Sequence, residues 1–219
     1  MKIKLTADPF APYQYYDDSG NITGLDYELV RRAFEVTGHE TSVSIMDWPL
    51  AEQAVLSGQA HGAFQVQPTA ERMGLYHFSR LLRDAVTEIV STRSDLTLNA
   101  YQDLPGQCGT LGVIKDYCYG QFIDELDEIQ KVPYENHEEL LRAVYENQVD
   151  SAVIDRGVRI FTAAKLGIDN LSSYPALDFI RPLHVIFNLE NKPLCSDFDK
   201  GLEKIRQNGD YDQIISKYS

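Results

Sequence analysis

Several things are scarce in this 219-residue chain, and each scarcity excludes something. There are three cysteines, Cys108, Cys118 and Cys195, without metal-ligand spacing, so no structural zinc site is expected. Cys108 and Cys118 are close enough in sequence to pair, which leaves one cysteine over in any case. No apolar run approaches the ~18 residues needed to span a bilayer. Basic charge is outnumbered, with 20 Lys and Arg against 33 Asp and Glu and a net charge of −13. That balance speaks against a nucleic-acid partner and against adhesion to anionic lipid, and it favours a soluble surface. No repeat of fixed period and no low-complexity tract is present. The chain also lacks a G-x-S-x-G elbow, an H-E-x-x-H pair, a phosphate loop and a glycine-rich dinucleotide turn. Its five histidines share no ligand spacing and read as surface or packing residues.

What is present is alternation of short apolar runs with amphipathic stretches. Strands are expected at Ile3–Ala7, Thr41–Met46, His61–Val66 and Ala85–Thr92, with helices over 25–34 and 48–57. Gly38 and Gly58 supply the stops. A composition shift falls near 93–105, with Ser94, Asp95, Asn99, Asp103 and Pro105 followed by Gly106. The alternation then resumes with strands near 109–114, 129–132 and 150–154 and helices near 119–126, 136–147 and 156–166. An apolar run over 181–188 and helices over 198–206 and 211–218 close the chain. This order implies an α/β protein of two lobes, each a mostly parallel sheet flanked by helices. The expected division is 1–92 for the first lobe, 93–184 for an inserted second lobe and 185–219 for the return. Two hinge crossings leave a cleft between lobes, where a ligand is expected.

Two segments can carry recognition chemistry. In Pro68-Thr69-Ala70-Glu71-Arg72, Thr69 can cap a short helix and Arg72 lies just past a strand end. A guanidinium there can grip a carboxylate through two parallel hydrogen bonds, or simply pair with a surface glutamate. In Val149-Asp150-Ser151-Ala152-Val153-Ile154-Asp155, Asp155 sits where a strand runs out. It can cap the following helix or meet a cationic group. The sole tryptophan, Trp48, is a core or a pocket residue.

The segments together resemble the family 3 extracellular solute-binding proteins, the amino-acid-binding components of ABC importers, over nearly the whole chain. Phe10-Ala11-Pro12-Tyr13 with Gly24-Leu25-Asp26-Tyr27-Glu28-Leu29 is similar to the family's aromatic-proline loop and helix start. Thr69-Ala70-Glu71-Arg72 with Phe78-Ser79, Gly112-Val113-Ile114-Lys115-Asp116-Tyr117, and Val149-Asp150 to Asp155 follow in the family's order. The resemblance implies a type II periplasmic-binding-protein fold and a binding protein rather than an enzyme, with no cofactor and no metal. It implies that Arg72 holds a ligand α-carboxylate and Asp155 its α-ammonium. Phe10, Tyr13 and Trp48 would wall the pocket, Gln67 and Thr69 would flank it, and Tyr117 would reach the carboxylate. A membrane permease is the implied partner of a monomeric, periplasmic protein. Because Met1–Leu5 reads as a strand, its leader is expected to have been removed. The same fold also serves sensor domains and cyclohexadienyl dehydratases; for the latter, Asp8 or Glu88 would be the candidate acid. The chain departs from the family at Gln65 and Gln67, where small residues are usual, at Pro68, at the turn 105–110 and at Asp116. These departures bear on the ligand more than on the fold, and Asp8 favours a polar or cationic side chain.

Overall fold

The computed structural model describes residues 2–115, 117, 119 and 121–218. The chain opens with β1 (Lys2–Ala7), the β2–β3 hairpin (Tyr15–Tyr16, Ile22–Thr23), α1 (Leu25–Glu35), β4 (Glu40–Ile45) and α2 (Trp48–Leu56). Next come β5 (Gly62–Val66), α3 (Ala70–Met73), β6 (Tyr76–Phe78), β7 (Arg83–Ser91), α4 (Leu104–Gln107), β8 (Thr110–Ile114) and α5 (Gln121–Asp124). Then follow β9 (Gln130–Tyr134), α6 (His137–Tyr145), β10 (Ser151–Asp155), α7 (Arg156–Leu166) and β11 (Ser172–Ser173). The last elements are β12 (Phe179–Asn188), α8 (Lys192–Gln207) and α9 (Asp210–Ser216). Among the described residues, no helix is long and apolar enough to cross a membrane.

The chain divides into two compact units, Met1–Asp84 with Arg181–Ser219, and Ala85–Ile180. Composition changes where β7 ends and a polar loop begins, which is why the sequence suggests crossings near 92/93 and 184/185. The units part at 84/85 within β7 and at 180/181 within β12, earlier in both cases.

In the first unit β1 is the parallel centre between β4 and β5 (Lys2↔Glu40 to Ala7↔Ile45, Leu5↔Gly62). β12 returns antiparallel beside β5, and β6 adds to its other edge. α1 buries Leu25, Leu29, Val30, Ala33 and Phe34 on one stripe, the helical period that the sequence shows. Phe34 meets Phe198 at 5.2 Å and Phe187 at 6.2 Å between ring centroids, which ties α1 to α8 and β12. The contact requires Gly201, because a Cβ there would stand 1.9 Å from the Ala33 carbonyl oxygen.

In the second unit β8 runs parallel to both β9 and β10, and β10 lies antiparallel to β7 (Ala152↔Val90 to Asp155↔Thr87). β11 pairs with β7. Ile89, Leu104, Leu111, Ile123, Val153 and Leu177 form the core on one side of this sheet. The α7 bounds agree with the sequence reading. Whether Cys108 pairs with Cys118 is open from the sequence, and Cys118 lies outside the described residues, as does Asp116 of the family-like segment; Cys108 itself is buried.

Candidate functional site

In the first unit, the loop after β1 carries Phe10 and Tyr13 as a stacked pair, 5.7 Å between centroids. The Phe10 carbonyl accepts hydrogen bonds from the amides of Tyr13 (2.8 Å) and Gln14 (3.1 Å), which folds the loop into a tight turn. Gly24 seats this turn on α1. Its φ of 123° suits glycine, and any Cβ there would lie 2.3 Å from the Tyr13 carbonyl oxygen. That same carbonyl accepts the amide of Asp26 at 2.9 Å. Beneath the loop, the Arg83 guanidinium lies 3.8 Å from the Tyr13 ring centroid and binds the Asp26 carboxylate from Nε and Nη2.

Gln14 is fully buried. Its Nε2 donates to the Asp8 carbonyl at 3.1 Å and to Gln65 Oε1. Gln65 holds a left-handed backbone, φ 65°, unusual for a side chain inside a strand. The Asp8 carboxyl is pushed above its ordinary range, mainly by burial and further by the nearby Asp26. Among the described residues no salt bridge is formed at Asp8.

Arg72 belongs to α3, where Thr69 Oγ1 caps the helix by accepting the Arg72 amide at 3.2 Å. The Arg72 Nε donates to Glu52 Oε1 at 3.0 Å, and its guanidinium carbon lies 5.0 Å from the Trp48 ring centroid. Both partners stand on α2, four residues and about one turn apart. Nη1 and Nη2 make no hydrogen bond to a described residue. A cavity of about 420 Å³ lies here, lined by Glu52, Gln53, Thr69, Glu71, Arg72 and Tyr76 among others. Gln67 leaves β5 partly buried, without a hydrogen bond to this group.

In the second unit, Asp155 is the last residue of β10 and the N-cap of α7. Its Oδ1 accepts the amides of Gly157 at 3.0 Å and Val158 at 3.2 Å. His137 opens α6, which is capped by Asn136. Burial lowers its pKa to about 4, outweighing the opposing pull of the Asp155 carboxylate. Half-exposed Tyr117 packs edge-on against His137, 5.9 Å between centroids, and lies 6.1 Å from Tyr119. Asp155, His137 and Tyr117 thus share one neighbourhood.

The structure therefore gathers Phe10 with Tyr13, Trp48 and Thr69 with Arg72, and Tyr117 with Asp155 through His137. Sequence reasoning passed over Gln14, Glu52 and His137. By sequence His137 reads as a surface or packing residue, and nothing local marks it. A signal did exist for Asp26, a carboxylate on the same stripe as Leu29, Val30 and Ala33.

The chain matches the bacterial extracellular solute-binding proteins, family 3, over residues 3–219. It is similar to a probable amino-acid ABC transporter-binding protein of Haemophilus influenzae, 30% identical over 104 residues, which covers 47% of this chain and 40% of that protein. The match thus spans less than half of that relative. A probable histidine-binding protein of Neisseria gonorrhoeae is 21% identical over 214 residues, 95% of this chain and 79% of that one. Among solved structures, the amino-acid ABC transporter substrate-binding protein AbpA of Streptococcus pneumoniae, bound to L-arginine, is similar at a TM-score of 0.78. It is 24% identical, over 99% of this chain and 94% of that one. A histidine kinase sensor domain is similar at 0.79 and 20% identity, covering 99% and 95%. At such identities these structures speak for the fold, that of the type II periplasmic binding proteins.

Proposed function

We infer function from one premise: the chain belongs to the bacterial extracellular solute-binding proteins, family 3. It captures a free amino acid outside the cytoplasm, in the periplasm or its equivalent, and hands it as a monomer to the permease of an ABC importer. It binds without chemistry. Arg72 takes the α-carboxylate and Asp155 the α-ammonium. Phe10 and Tyr13 cover the side chain, Gln67 and Thr69 flank Arg72, and Tyr117 contributes from the second unit.

The observation that carries this reading is the Arg72 guanidinium. It is fixed by Nε, while both terminal nitrogens lack a partner among the described residues. A planar fork in that condition suits a carboxylate. Asp155 supports the other half, since it is a buried carboxylate at the end of β10 and caps α7. The partly buried Asp8 carboxyl, without a salt bridge among the described residues, favours a polar or cationic side chain, because a cation would favour its ionised form. The names of the Neisseria relative and of the arginine-bound structure point the same way.

A thermal-shift panel of the twenty L-amino acids, short peptides, organic acids and polyamines tests the reading. The true ligand at a hundredfold over its Kd adds ~2.7 kcal/mol to stability. A shift produced only by compounds without an amino-acid head group would refute it.

A further inference from the structure

This inference deepens the reading of Arg72 as a carboxylate grip and rests on it. Among the described residues, two arginines are each held by a carboxylate and an aromatic ring, Arg72 and Arg83. Arg83 is buried and engages Asp26 with its whole Nε/Nη2 edge, at 2.5 and 2.8 Å. That edge is spent on the fold. Arg72 is held more sparingly. Glu52 accepts from Nε alone, at 3.0 Å, and Trp48 lies against one face.

A guanidinium has five N–H donors in one plane, arranged as a side edge and an outer edge. With Nε engaged and the Trp48 ring beside the guanidinium carbon, the group is restrained, while Nη1 and Nη2 have no hydrogen-bond partner among the described residues. The local sequence makes this arrangement. Trp48 and Glu52 are four apart on α2, so they project from the same stripe of the helix. Pro49 sits in the first turn of α2, where its missing N–H costs nothing. Thr69 fixes the other side by capping α3 on the Arg72 amide.

We propose that Glu52 and Trp48 are positioning residues, which hold Arg72 by its Nε edge and one face so that the Nη1/Nη2 edge meets the ligand carboxylate. Trp48 then acts on the arginine, and its wall function is secondary. The opposite reading is that Glu52 competes with the ligand for Arg72. The two differ in sign: removing a competitor tightens binding, while removing a positioner weakens it.

The test uses L-arginine and L-argininamide as probes in titration calorimetry, with wild type, Glu52→Gln and Trp48→Leu, and Trp48→Phe as the conservative rescue. Positioning predicts that Glu52→Gln weakens L-arginine about tenfold, the size expected for one charge-assisted hydrogen bond. The amide should weaken far less, because it presents no carboxylate to Arg72. A general loss of folding would weaken both probes alike and lower the Tm. Trp48→Phe should recover most of what Trp48→Leu loses. Unchanged or tighter L-arginine binding by Glu52→Gln, at wild-type Tm, overturns the proposal. Emission from Trp48, the sole tryptophan, provides an arm that needs no ligand. Glu52→Gln and Arg72→Met should each change it in the free protein, and emission unchanged in both overturns the proposal. Should the wild type bind no amino acid at all, the carboxylate grip itself fails, while the emission arm still decides whether Glu52 and Trp48 hold Arg72.

Discussion

Asp26 and Arg83 form a bidentate ion pair inside the first unit, with the Arg83 side chain 7% exposed and that of Asp26 fully covered. The pair joins the start of α1 to β7, and it lies under the Tyr13 ring. Asp26→Ala would leave a buried guanidinium without two charge-assisted bonds. The expected loss is ~3–5 kcal/mol, read as a lower urea midpoint at pH 7. A loss under ~1 kcal/mol would show that other contacts hold Arg83 equally well.

Asp155 caps α7 and, in the proposed function, meets an ammonium group, and one substitution can separate the two. Serine caps a helix nearly as well as aspartate, so Asp155→Ser should change stability by less than ~0.5 kcal/mol. It removes the charge proposed to meet an ammonium group, so ligand affinity should fall by about a hundredfold, in the range of a lost buried charge contact. Asp155→Ala should lose both. Retained affinity in the serine variant would reduce Asp155 to a cap.

His137 makes stability depend on pH in a definite window. The native imidazole stays neutral down to about 4, whereas the unfolded chain takes up its proton near 6.5. Between these values the unfolded state binds the extra proton, so the contribution is full above pH 6.5 and is lost as pH falls toward 4. His137→Gln should flatten the stability curve across this interval. An equally steep curve in the variant would assign the slope to other groups.

Gly201 is set by contact rather than by backbone conformation. Ala33 carbonyl approaches so closely that Gly201→Ala must push α8 away from α1. The expected cost is ~1–3 kcal/mol, typical of an overpacked contact, and shows as a lower Tm. A Tm at or above the wild-type value would mean the helices separate freely.

Much of this was legible in the sequence, and the exceptions share a cause. The period of Leu25, Leu29, Val30, Ala33 and Phe34 shows α1, and the apolar run ending at Asp155 shows β10 and the helix that follows. β6 is only three residues long and exists because it pairs with β12, Phe78 against Ile186, which no local pattern announces. The partners of Arg72 and Gln14 are likewise distant, Glu52 by 20 residues and Gln65 by 51. Local periodicity carries the elements; pairing across the fold decides which side chains hold the site. The place of Arg72 after a strand marks it in the sequence, but the sequence does not decide between a glutamate and a ligand as its partner. The structure places it on Glu52, with its outer edge meeting no described residue.

The central claim is that Arg72 binds the carboxylate of a free amino acid. The most direct measurement is titration calorimetry of the amino acid giving the largest thermal shift, against wild type and Arg72→Ala. The account predicts saturable one-to-one binding to the wild type and a loss of affinity of at least about a hundredfold in the variant, consistent with removal of a charged bidentate contact. Equal affinity in the two proteins, at equal Tm, would contradict it.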